Sequence, residues 1–410
     1  MAGMNEAPSG ERTHIGFFGI RNAGNSSVEN AVTGQSLSVV SDQAGTTTDP
    51  VRKAMELLPL GPVVIIDTPG IDDVGELGEL RVQRTREALR SCDIAVLVVD
   101  ASSPAHPANE ELIAIFDSQS IPCVIAYNKT DLLSEGQVAE LAKRLGKRSV
   151  LVSAATGQGI TELKETIAHS VADSEADRYL IADLLEPGDQ VVLVMPIDSA
   201  APKGRIILPQ QMVLRDVLDA RCSALVCQPQ ELAGVLESLV HPPKMVVTDS
   251  QAFAQVQAVV PEDVWLTSFS ILMARYKGEL EAYVPGAVAL TRLKDGDKVL
   301  VSEGCTHHRQ CDDIGTVKLP NWIRTYTGAD LQFSFTSGRE FPEDLSPYAL
   351  VAHCGACMLN RREVRYRLSQ CVAQGVPVVT YGLAIAQTQG ILQRSLEPFP
   401  QVAALFREDL

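Results

Sequence analysis

Cysteine and histidine residues at two places in the last third of the chain have the spacing of metal ligands. The first group is Cys305 and His307, and the second is His353, Cys354 and Cys357. Thiolates at close range bind zinc or an iron–sulfur cluster, while imidazole suits zinc or iron. Neither group would bind a metal well alone. We therefore predict that the fold brings the two groups together in one metal site.

The CxxC sequence of the second group has other interpretations. It is also typical of a redox dithiol, and cysteines at this spacing also occur as unrelated core residues. The CxH sequence upstream and the HCxxC sequence downstream favour a metal site over both alternatives. Strands predicted at 299–301 and 350–352 lead into the two groups, which places both at carboxyl ends of strands, where open α/β sheets hold ligands. We also expect Cys357 to lie at the start of a helix through 361–374, whose N-terminus would favour its thiolate.

A glycine-containing loop near the start of the chain has the pattern of a phosphate-binding turn. An apolar run over 14–19 predicts a buried strand, and apolar residues at helical spacing follow the loop. Backbone N–H groups and a helix N-terminus in such a loop cradle phosphates, although many strand–helix turns also carry glycines. The residues that we expect around the phosphates are Gly19, Asn22, Ala23, Gly24, Asn25, Ser26 and Ser27.

Further segments at predicted strand ends would complete a nucleotide site. Asp67, after the strand at 63–66, can hold Mg²⁺ through water, and Gly70 can present its N–H to a γ-phosphate. Thr47, in the connection before that strand, can supply a hydroxyl to the metal. A DxxG sequence is also a common turn. The prediction of a nucleotide site therefore rests on the order in which all these segments follow the strands.

Two later segments predict recognition of guanine. Asn128, Lys129 and Asp131 follow the strand at 124–127, and the Asp131 carboxylate can accept two hydrogen bonds from the N1 and N2 edge of guanine. Adenine offers no such pair of donors. Ser153 and Ala154, after another short strand, can offer a backbone N–H to guanine O6. The NKxD sequence could alternatively be a capped helix start.

Alternating strand and helix patterns predict an α/β protein with mostly parallel sheets and three domains, at 12–172, 180–262 and 265–400. The middle domain contains no glycine loop and no cluster of acids or histidines, so we interpret it as an association domain. We expect the segment 320–345 of the third domain to be rich in loops.

Composition limits the classes of function. The 410-residue chain has a net charge of −16, which argues against general nucleic-acid binding because that needs a basic surface. The start of the chain shows no signal-peptide pattern, and no run of about 18 apolar residues predicts a membrane span. Nine cysteines, an odd number spread along the chain, do not resemble a secreted disulfide framework. We expect a cytoplasmic protein without a membrane partner.

The domain at 12–172 resembles the translation-factor class of P-loop GTPases, within the potassium-activated branch that includes tRNA-modification and Era-like GTPases. The resemblance implies binding of GTP or GDP with Mg²⁺ and K⁺, with Ser26 among the metal-binding residues and Asn22 helping to bind K⁺. The family pattern has lysine at position 25, and this sequence has Asn25. Asparagine can donate a hydrogen bond but cannot neutralise phosphate charge. We therefore expect weak nucleotide binding and slow hydrolysis.

A GTPase domain followed by CxH and HCxxC resembles the HydF-type [FeFe]-hydrogenase maturation GTPases over nearly the full chain. The resemblance implies a [4Fe–4S] cluster on Cys305, Cys354 and Cys357, with an exchangeable fourth position near His307 or His353. It implies a scaffold or carrier for the precursor of the di-iron subcluster, which works with two radical-SAM maturases and delivers to the apo-hydrogenase. It also implies that the middle domain forms a homodimer.

An alternative is a GTPase enzyme or switch with a structural zinc domain, acting in RNA or ribosome metabolism. Four closed zinc ligands would make such a site structural and inert. The acidic net charge counts against the RNA-binding version. Iron with sulfide in the purified protein would favour the first hypothesis, and zinc the second.

Overall fold

The computed structural model of the protein describes residues 9–34, 51–68, 88–175, 178–197, 206–304 and 313–409. The chain divides into two compact units, Met1–Asp177 and Arg178–Leu410. Over the described ranges, no helix is both long and apolar enough to cross a membrane.

The first unit is built on a six-stranded sheet in the order β2-β3-β1-β4-β5-β6. Strand β2 pairs antiparallel with β3, and the other pairs are parallel. Its strands are β1 Thr13–Gly19, β2 Val51–Leu57, β3 Gly61–Asp67, β4 Ile94–Asp100, β5 Cys123–Asn128 and β6 Ser149–Leu151. Its helices are α1 Asn25–Thr33, α2 Pro107–Ser118, α3 Glu135–Ala142 and α4 Ile160–Glu175.

The central strands of this sheet are apolar along their whole length because both faces of the sheet are covered. Successive side chains of a strand point to opposite faces. Phe17 of β1 accordingly packs in one buried cluster with Val28 of α1, and Phe18 packs in another with Phe116 of α2. Strands β3, β1, β4 and β5 are parallel neighbours in this order, so their carboxyl ends lie at one edge of the sheet.

The second unit contains two parallel four-stranded sheets, in the orders β10-β9-β7-β8 and β12-β11-β13-β14. The strands are β7 Gln190–Val194, β8 Ser223–Cys227, β9 Met245–Thr248, β10 Trp265–Ser268, β11 Lys298–Glu303, β12 Gln332–Ser337, β13 Leu350–His353 and β14 Val378–Thr380. The helices are α5 Leu208–Asp219, α6 Leu232–Ser238, α7 Phe253–Gln257, α8 Phe269–Lys277, α9 Leu280–Ala289, α10 Leu319–Thr327, α11 Arg361–Ala373, α12 Tyr381–Thr388, α13 Leu392–Ser395 and α14 Pro400–Asp409.

One continuous apolar core joins the two sheets of the second unit, with Val192 and Val246 in one sheet and Leu300 and Val351 in the other. Helix α9 lies very close to strand β14, because a Cβ on Gly286 would fall 2.0 Å from the carbonyl oxygen of Val378. Glycine is therefore required at this crossing.

The predicted α/β fold with mostly parallel sheets is confirmed. The expectation of a loop-rich segment at 320–345 is wrong, because it contains most of helix α10 and all of strand β12. Helix α10 buries Leu319 and Ile323 on one face. Strand β12 lies at a sheet edge and is half exposed, so it lacks the apolar run that marks a buried strand. The three predicted domain boundaries stay predictions.

Candidate functional site

The phosphate-loop candidate turns between β1 and α1 through left-handed backbone positions. Asn22 has φ 63° and Gly24 has φ 95°. A Cβ on Gly24 would fall 2.4 Å from the side-chain nitrogen of Asn128. Both the left-handed φ and this lack of space require glycine at position 24. Helix α1 then begins at Asn25, with Ser26 and Ser27 in its first turn. This gives a partly exposed helix N-terminus after a tight loop, which is the local structure that binds phosphates.

Asn128 joins the candidate phosphate loop to the segment that is predicted to recognise the base. Its side chain is buried at the end of β5, where Nδ2 donates to the carbonyl of Ala23 at 3.0 Å. Its Oδ1 accepts from the backbone N–H of Ala154 at 3.1 Å. The sequence predicts one site that contains Asn128, Ala23 and Ala154, and these two bonds bring the three residues together.

Asp131 is exposed at the same edge of the sheet, and Ser153 orients it. The buried Ser153 hydroxyl donates to Asp131 Oδ1 at 2.6 Å and accepts from the N–H of Thr156 at 3.2 Å. The second carboxylate oxygen makes no hydrogen bond to a described residue, and the bond from Ser153 restricts rotation of the carboxylate. This side-chain role of Ser153 was missed, because sequence reasoning assigned only its backbone N–H.

The backbone N–H groups of Ser153 and Ala154 already donate within the protein. Ser153 donates to the carbonyl of Gln158 at 3.0 Å, and Ala154 donates to Asn128. A contact from either group to guanine O6 would share its hydrogen, and it stays a prediction.

Lys129 takes a left-handed conformation with φ 67°, and its Nζ lies 2.6 Å from Asp100 Oδ2. Burial opposes ionisation of Asp100, but hydrogen bonds from Lys129 and Ser102 outweigh it and lower the Asp100 pKa. The pair fixes Lys129 beside the base segment. Asp100 was also missed; its position at the end of an apolar strand is the signal that could have identified it.

Asn25 folds over its own loop. Its Nδ2 donates to the Gly19 carbonyl at 3.3 Å, while its Oδ1 is buried and makes no hydrogen bond to any described residue. One amide N–H is therefore used within the loop, where a lysine ammonium would extend to phosphate oxygens.

The metal side of the nucleotide site is described in part. Asp67 ends β3 beside Phe17 of β1 in the strand register, and the neighbouring Thr68 hydroxyl donates to the Phe17 carbonyl at 2.6 Å. Thr47 and Gly70 lie outside the described residues. The strand ends therefore bring Asp67 to the edge that carries the phosphate loop.

The second candidate site lies at the carboxyl ends of β11 and β13. These strands are parallel neighbours, with Ser302 opposite His353. The N–H of Gly304 donates to Cys354 Sγ at 3.0 Å, and the N–H of Ala356 donates to the same sulfur at 3.4 Å. Backbone donors aimed at a cysteine sulfur stabilise the thiolate that binds a metal.

Cys305 and His307 lie outside the described residues. The described part of the chain contains no group of three or more His, Cys, Asp or Glu side chains that could hold a metal. The donor chemistry around Cys354 nevertheless fits an iron–sulfur ligand, since hydrogen bonds to the sulfurs are among the features that tune such clusters. The ligand assignment stays a prediction.

Cys357 lies in a turn, and the expectation that it starts a helix is wrong. Helix α11 begins at Arg361, and its N-cap is Asn360, whose side chain accepts from the N–H of Glu363. The turn between Cys354 and Asn360 includes Ala356 in a left-handed conformation with φ 54°. The loop conformation therefore shapes the surroundings of both thiols.

His353 is buried, and both of its ring nitrogens have partners. Nδ1 lies 2.8 Å from the Cys354 carbonyl, and Nε2 lies 3.4 Å from Nη1 of the buried Arg367. Burial and the Arg367 charge lower the pKa of His353 to about 3, despite the opposing effect of the bond to the Cys354 carbonyl. The ring is thus neutral and carries its proton on Nδ1, where it orients the backbone of Cys354.

Arg367 connects the elements around this site and was missed by sequence analysis. Its guanidinium donates to Ser302 Oγ at 3.2 Å, to the Gly338 carbonyl at 2.7 Å and to Glu363 at 3.3 Å. It also lies over the ring of Phe341 at 5.2 Å. No short motif surrounds it, so only the tertiary structure identifies it.

Family comparisons match successive parts of the chain. Residues 14–129 match the family described as 50S ribosome-binding GTPase. Residues 180–278 match the Hydrogen maturase F dimerization domain, and residues 281–398 match the Hydrogen maturase F tetramerization domain. The first match supports binding of GTP or GDP with Mg²⁺, and the other two support an oligomer.

The individual relatives each resemble part of the chain. GTPase Der of Wolinella succinogenes is 38% identical over 175 residues, covering 40% of this chain and 36% of its own. The tRNA modification GTPase MnmE of Chromobacterium violaceum is 36% identical over 168 residues, covering 41% of this chain and 36% of its own. This chain thus spans little more than a third of these relatives. The solved G domain of the T. maritima FeoB iron transporter is 24% identical over 39% of this chain and 98% of its own, with a TM-score of 0.30.

Proposed function

The chain belongs to the HydF-type hydrogenase maturation GTPases, and on this premise we propose that it is a guanine-nucleotide-binding scaffold for an iron–sulfur cluster. In this proposal it also carries the di-iron subcluster precursor as cargo and delivers it to apo-[FeFe]-hydrogenase. Two radical-SAM maturases act with it, and a homodimer is the functional form.

The observation that supports the proposal most strongly is the contact between the carboxyl ends of strands β11 and β13. Ser302 stands opposite His353, and the next turn of chain brings the Gly304 N–H to Cys354 Sγ at 3.0 Å. Cys305 directly follows Gly304 in the sequence. Strands β11 and β13, which lead into the two ligand groups in the sequence, are thus neighbours in one sheet, and this supports the proposal that the groups share one site.

In the proposed site, Cys305, Cys354 and Cys357 hold a [4Fe–4S] cluster. Such a cluster on three thiolates keeps one iron position exchangeable, which suits holding and releasing a cargo. The chain supplies N–H donors to Cys354 from Gly304 and Ala356, and His353 orients the Cys354 carbonyl. His307 is the remaining candidate for the fourth position, with His353 committed to Arg367 in the described arrangement.

The nucleotide site has the parts for guanine recognition. Asn128 ties the phosphate loop to the base segment, and Ser153 orients Asp131. Backbone donors and base contacts favour binding, while Asn25 lacks the charge that promotes phosphoryl transfer. We propose that bound nucleotide acts mainly through binding and that hydrolysis is slow.

The decisive experiment is metal and sulfide analysis of protein purified without oxygen. The proposal expects a brown protein with about four iron and four sulfide per chain. Cys354→Ser should lose most of this iron, whereas the matched variant Cys371→Ser should keep it because Cys371 is buried in the apolar core. A colourless protein with about one zinc per chain would instead support a structural zinc domain and overturn the proposal.

Delivery needs a second measurement. Loaded protein, prepared together with the two radical-SAM maturases, should activate apo-hydrogenase after the maturases are removed. Activation that occurs equally well with protein prepared without the maturases would contradict the carrier role.

A further inference from the structure

A buried lysine supports the cysteine loop of the proposed cluster site. Lys277 is the last residue of helix α8, and only 2% of its surface is exposed. Lysine is almost never fully buried unless its ammonium has partners. Its Nζ donates to the carbonyl of Ala356 at 2.9 Å and to the carbonyl of Leu359 at 2.8 Å. Both carbonyls belong to the loop that carries Cys354 and Cys357.

The peptide groups of Ala356 connect this lysine to a cysteine sulfur. Ala356 donates its N–H to Cys354 Sγ and accepts from Lys277 with its carbonyl. Its φ of 54° lies in the left-handed region, which residues other than glycine and asparagine seldom adopt without support. The two bonds from Lys277 supply that support on one side of the loop.

The opposite side of the loop is held by packing. Ala356, Leu359 and Val364 form a small buried cluster. A Cβ on Gly304 would fall 2.7 Å from Leu359 Cγ, so the strand end that precedes Cys305 lies directly against this cluster. The loop is thus fixed between Lys277 and the end of β11.

Lys277 also brings a positive charge to the loop. A thiolate-ligated cluster is anionic, and reduction adds one more negative charge. A nearby buried cation therefore stabilises the reduced state more than the oxidised state, and low dielectric strengthens the effect.

We propose that Lys277 is a positioning residue of the cluster site. It holds the Cys354–Leu359 loop in the metal-binding conformation and raises the reduction potential of the cluster. The inference about the reduction potential rests on the proposed function. The inference about the loop conformation concerns the metal-free chain.

The first test uses the metal-free protein and measures amide hydrogen exchange in the loop. Lys277→Met removes both donors while keeping a chain of similar length. Exchange at 354–359 should become at least about tenfold faster, since local opening controls protection. The matched control Lys294→Met removes an exposed lysine from the same unit and should leave loop exchange unchanged.

The second test measures the midpoint potential of the loaded protein by spectroelectrochemistry. Lys277→Met should lower the one-electron reduction constant about tenfold, which corresponds to about 59 mV. Lys277→Arg keeps the charge and should stay near the unmodified value. Lys277→Gln keeps a donor without charge, so it should lower the potential and serves if the Met variant does not fold.

The outcomes separate the two proposals. If the unmodified protein contains no iron and sulfide, both the proposed function and the inference about the reduction potential are overturned. Hydrogen exchange in the loop still tests whether Lys277 positions the loop. A loaded unmodified protein whose Lys277→Met and Lys277→Gln variants keep its potential would overturn the electrostatic role alone. Unchanged loop exchange in Lys277→Met would overturn the positioning role.

Discussion

The side-chain amide of Asn128 donates to the backbone carbonyl of Ala23 at 3.0 Å, although the two residues are 105 positions apart. The bond is buried, and the other end of the same amide accepts from Ala154. Asn128 therefore couples the position of the phosphate loop to the position of the base segment. Nucleotide bound at one segment should order the other.

Asn128→Ala should both destabilise the first unit and weaken nucleotide binding. It leaves a buried carbonyl and a backbone N–H without their partner, which costs about 1–3 kcal/mol for each group that water cannot reach. The denaturation midpoint should fall, and GDP affinity measured by calorimetry should fall at least tenfold, a change of about 1.4 kcal/mol.

The matched control for this prediction is Lys143→Ala, which removes an exposed side chain that is 74% accessible. It should change stability by less than about 0.5 kcal/mol. Unchanged GDP affinity in a folded Asn128→Ala variant would show that the two segments act independently.

Asp131 should select guanine over adenine. Its carboxylate is oriented by the Ser153 hydroxyl at 2.6 Å and can accept a pair of hydrogen bonds from the base. Asp131→Asn should weaken GDP binding by about 2–4 kcal/mol, because buried donors of the base lose a charged acceptor. The same variant should gain relative affinity for xanthosine nucleotides, whose ring offers the complementary pattern.

Titration with the four nucleotides GDP, ADP, XDP and IDP checks this prediction. Asp117→Asn removes a carboxylate from an exposed helix position of the same unit and should leave all affinities unchanged. Equal affinity of the unmodified protein for GTP and ATP would refute the role given to Asp131.

Each of the three proposed cluster thiols should be needed for iron. Replacing Cys305, Cys354 or Cys357 with Ser should remove most of the [4Fe–4S] signal in paramagnetic resonance and abolish hydrogenase activation. Cys371→Ser should be tolerated, because burial raises the pKa of the Cys371 thiol to about 12 and keeps it protonated in the core. We also expect Cys311→Ser to be tolerated; Cys311 lies outside the described residues.

A variant series distinguishes this ligand set from the other arrangements of thiols. If Cys311→Ser bleaches the protein while Cys305→Ser keeps its colour, the assignment of Cys305 is incorrect. Iron content and protein stability should be measured on the same samples, so that loss of fold is not counted as loss of a ligand.

Sequence was sufficient for features that depend on neighbours along the chain. The strand that contains Phe17 and Phe18 was predicted because burial on both faces requires an unbroken apolar run. The strand that ends at Asn128 was predicted from the apolar run before it; the roles of Asn128 and Asp131 in base recognition stay predictions.

Sequence was insufficient for features that depend on distant pairs. Lys277 lies 79 positions before Ala356, and Arg367 lies 65 positions after Ser302. A lysine at the end of a helix is ordinarily a solvent-exposed cap, so nothing local distinguishes Lys277. Strand β12 was missed for a related reason, since an edge strand needs no continuous apolar sequence.

Asn25 should limit GTP hydrolysis more than it limits binding. One amide N–H of Asn25 donates to the Gly19 carbonyl at 3.3 Å, and the amide brings no positive charge to the loop. A charged donor on the transferred phosphate strengthens as charge shifts in the transition state, and loss of one such contact typically costs about 10²–10³ in rate. The unmodified protein should therefore show K⁺-dependent hydrolysis only slightly above background.

Asn25→Lys should raise hydrolysis at least about tenfold, a fraction of that loss, with a smaller gain in GTP affinity. Phosphate release in K⁺ and in Na⁺ buffers, measured under single-turnover conditions, isolates the chemical step. The control Ser118→Lys adds the same charge at an exposed helix end of the first unit and should leave the rate unchanged. If the unmodified protein already hydrolyses GTP as fast as Asn25→Lys, another cation must act on the phosphates, and the substitution at position 25 is not what limits the reaction.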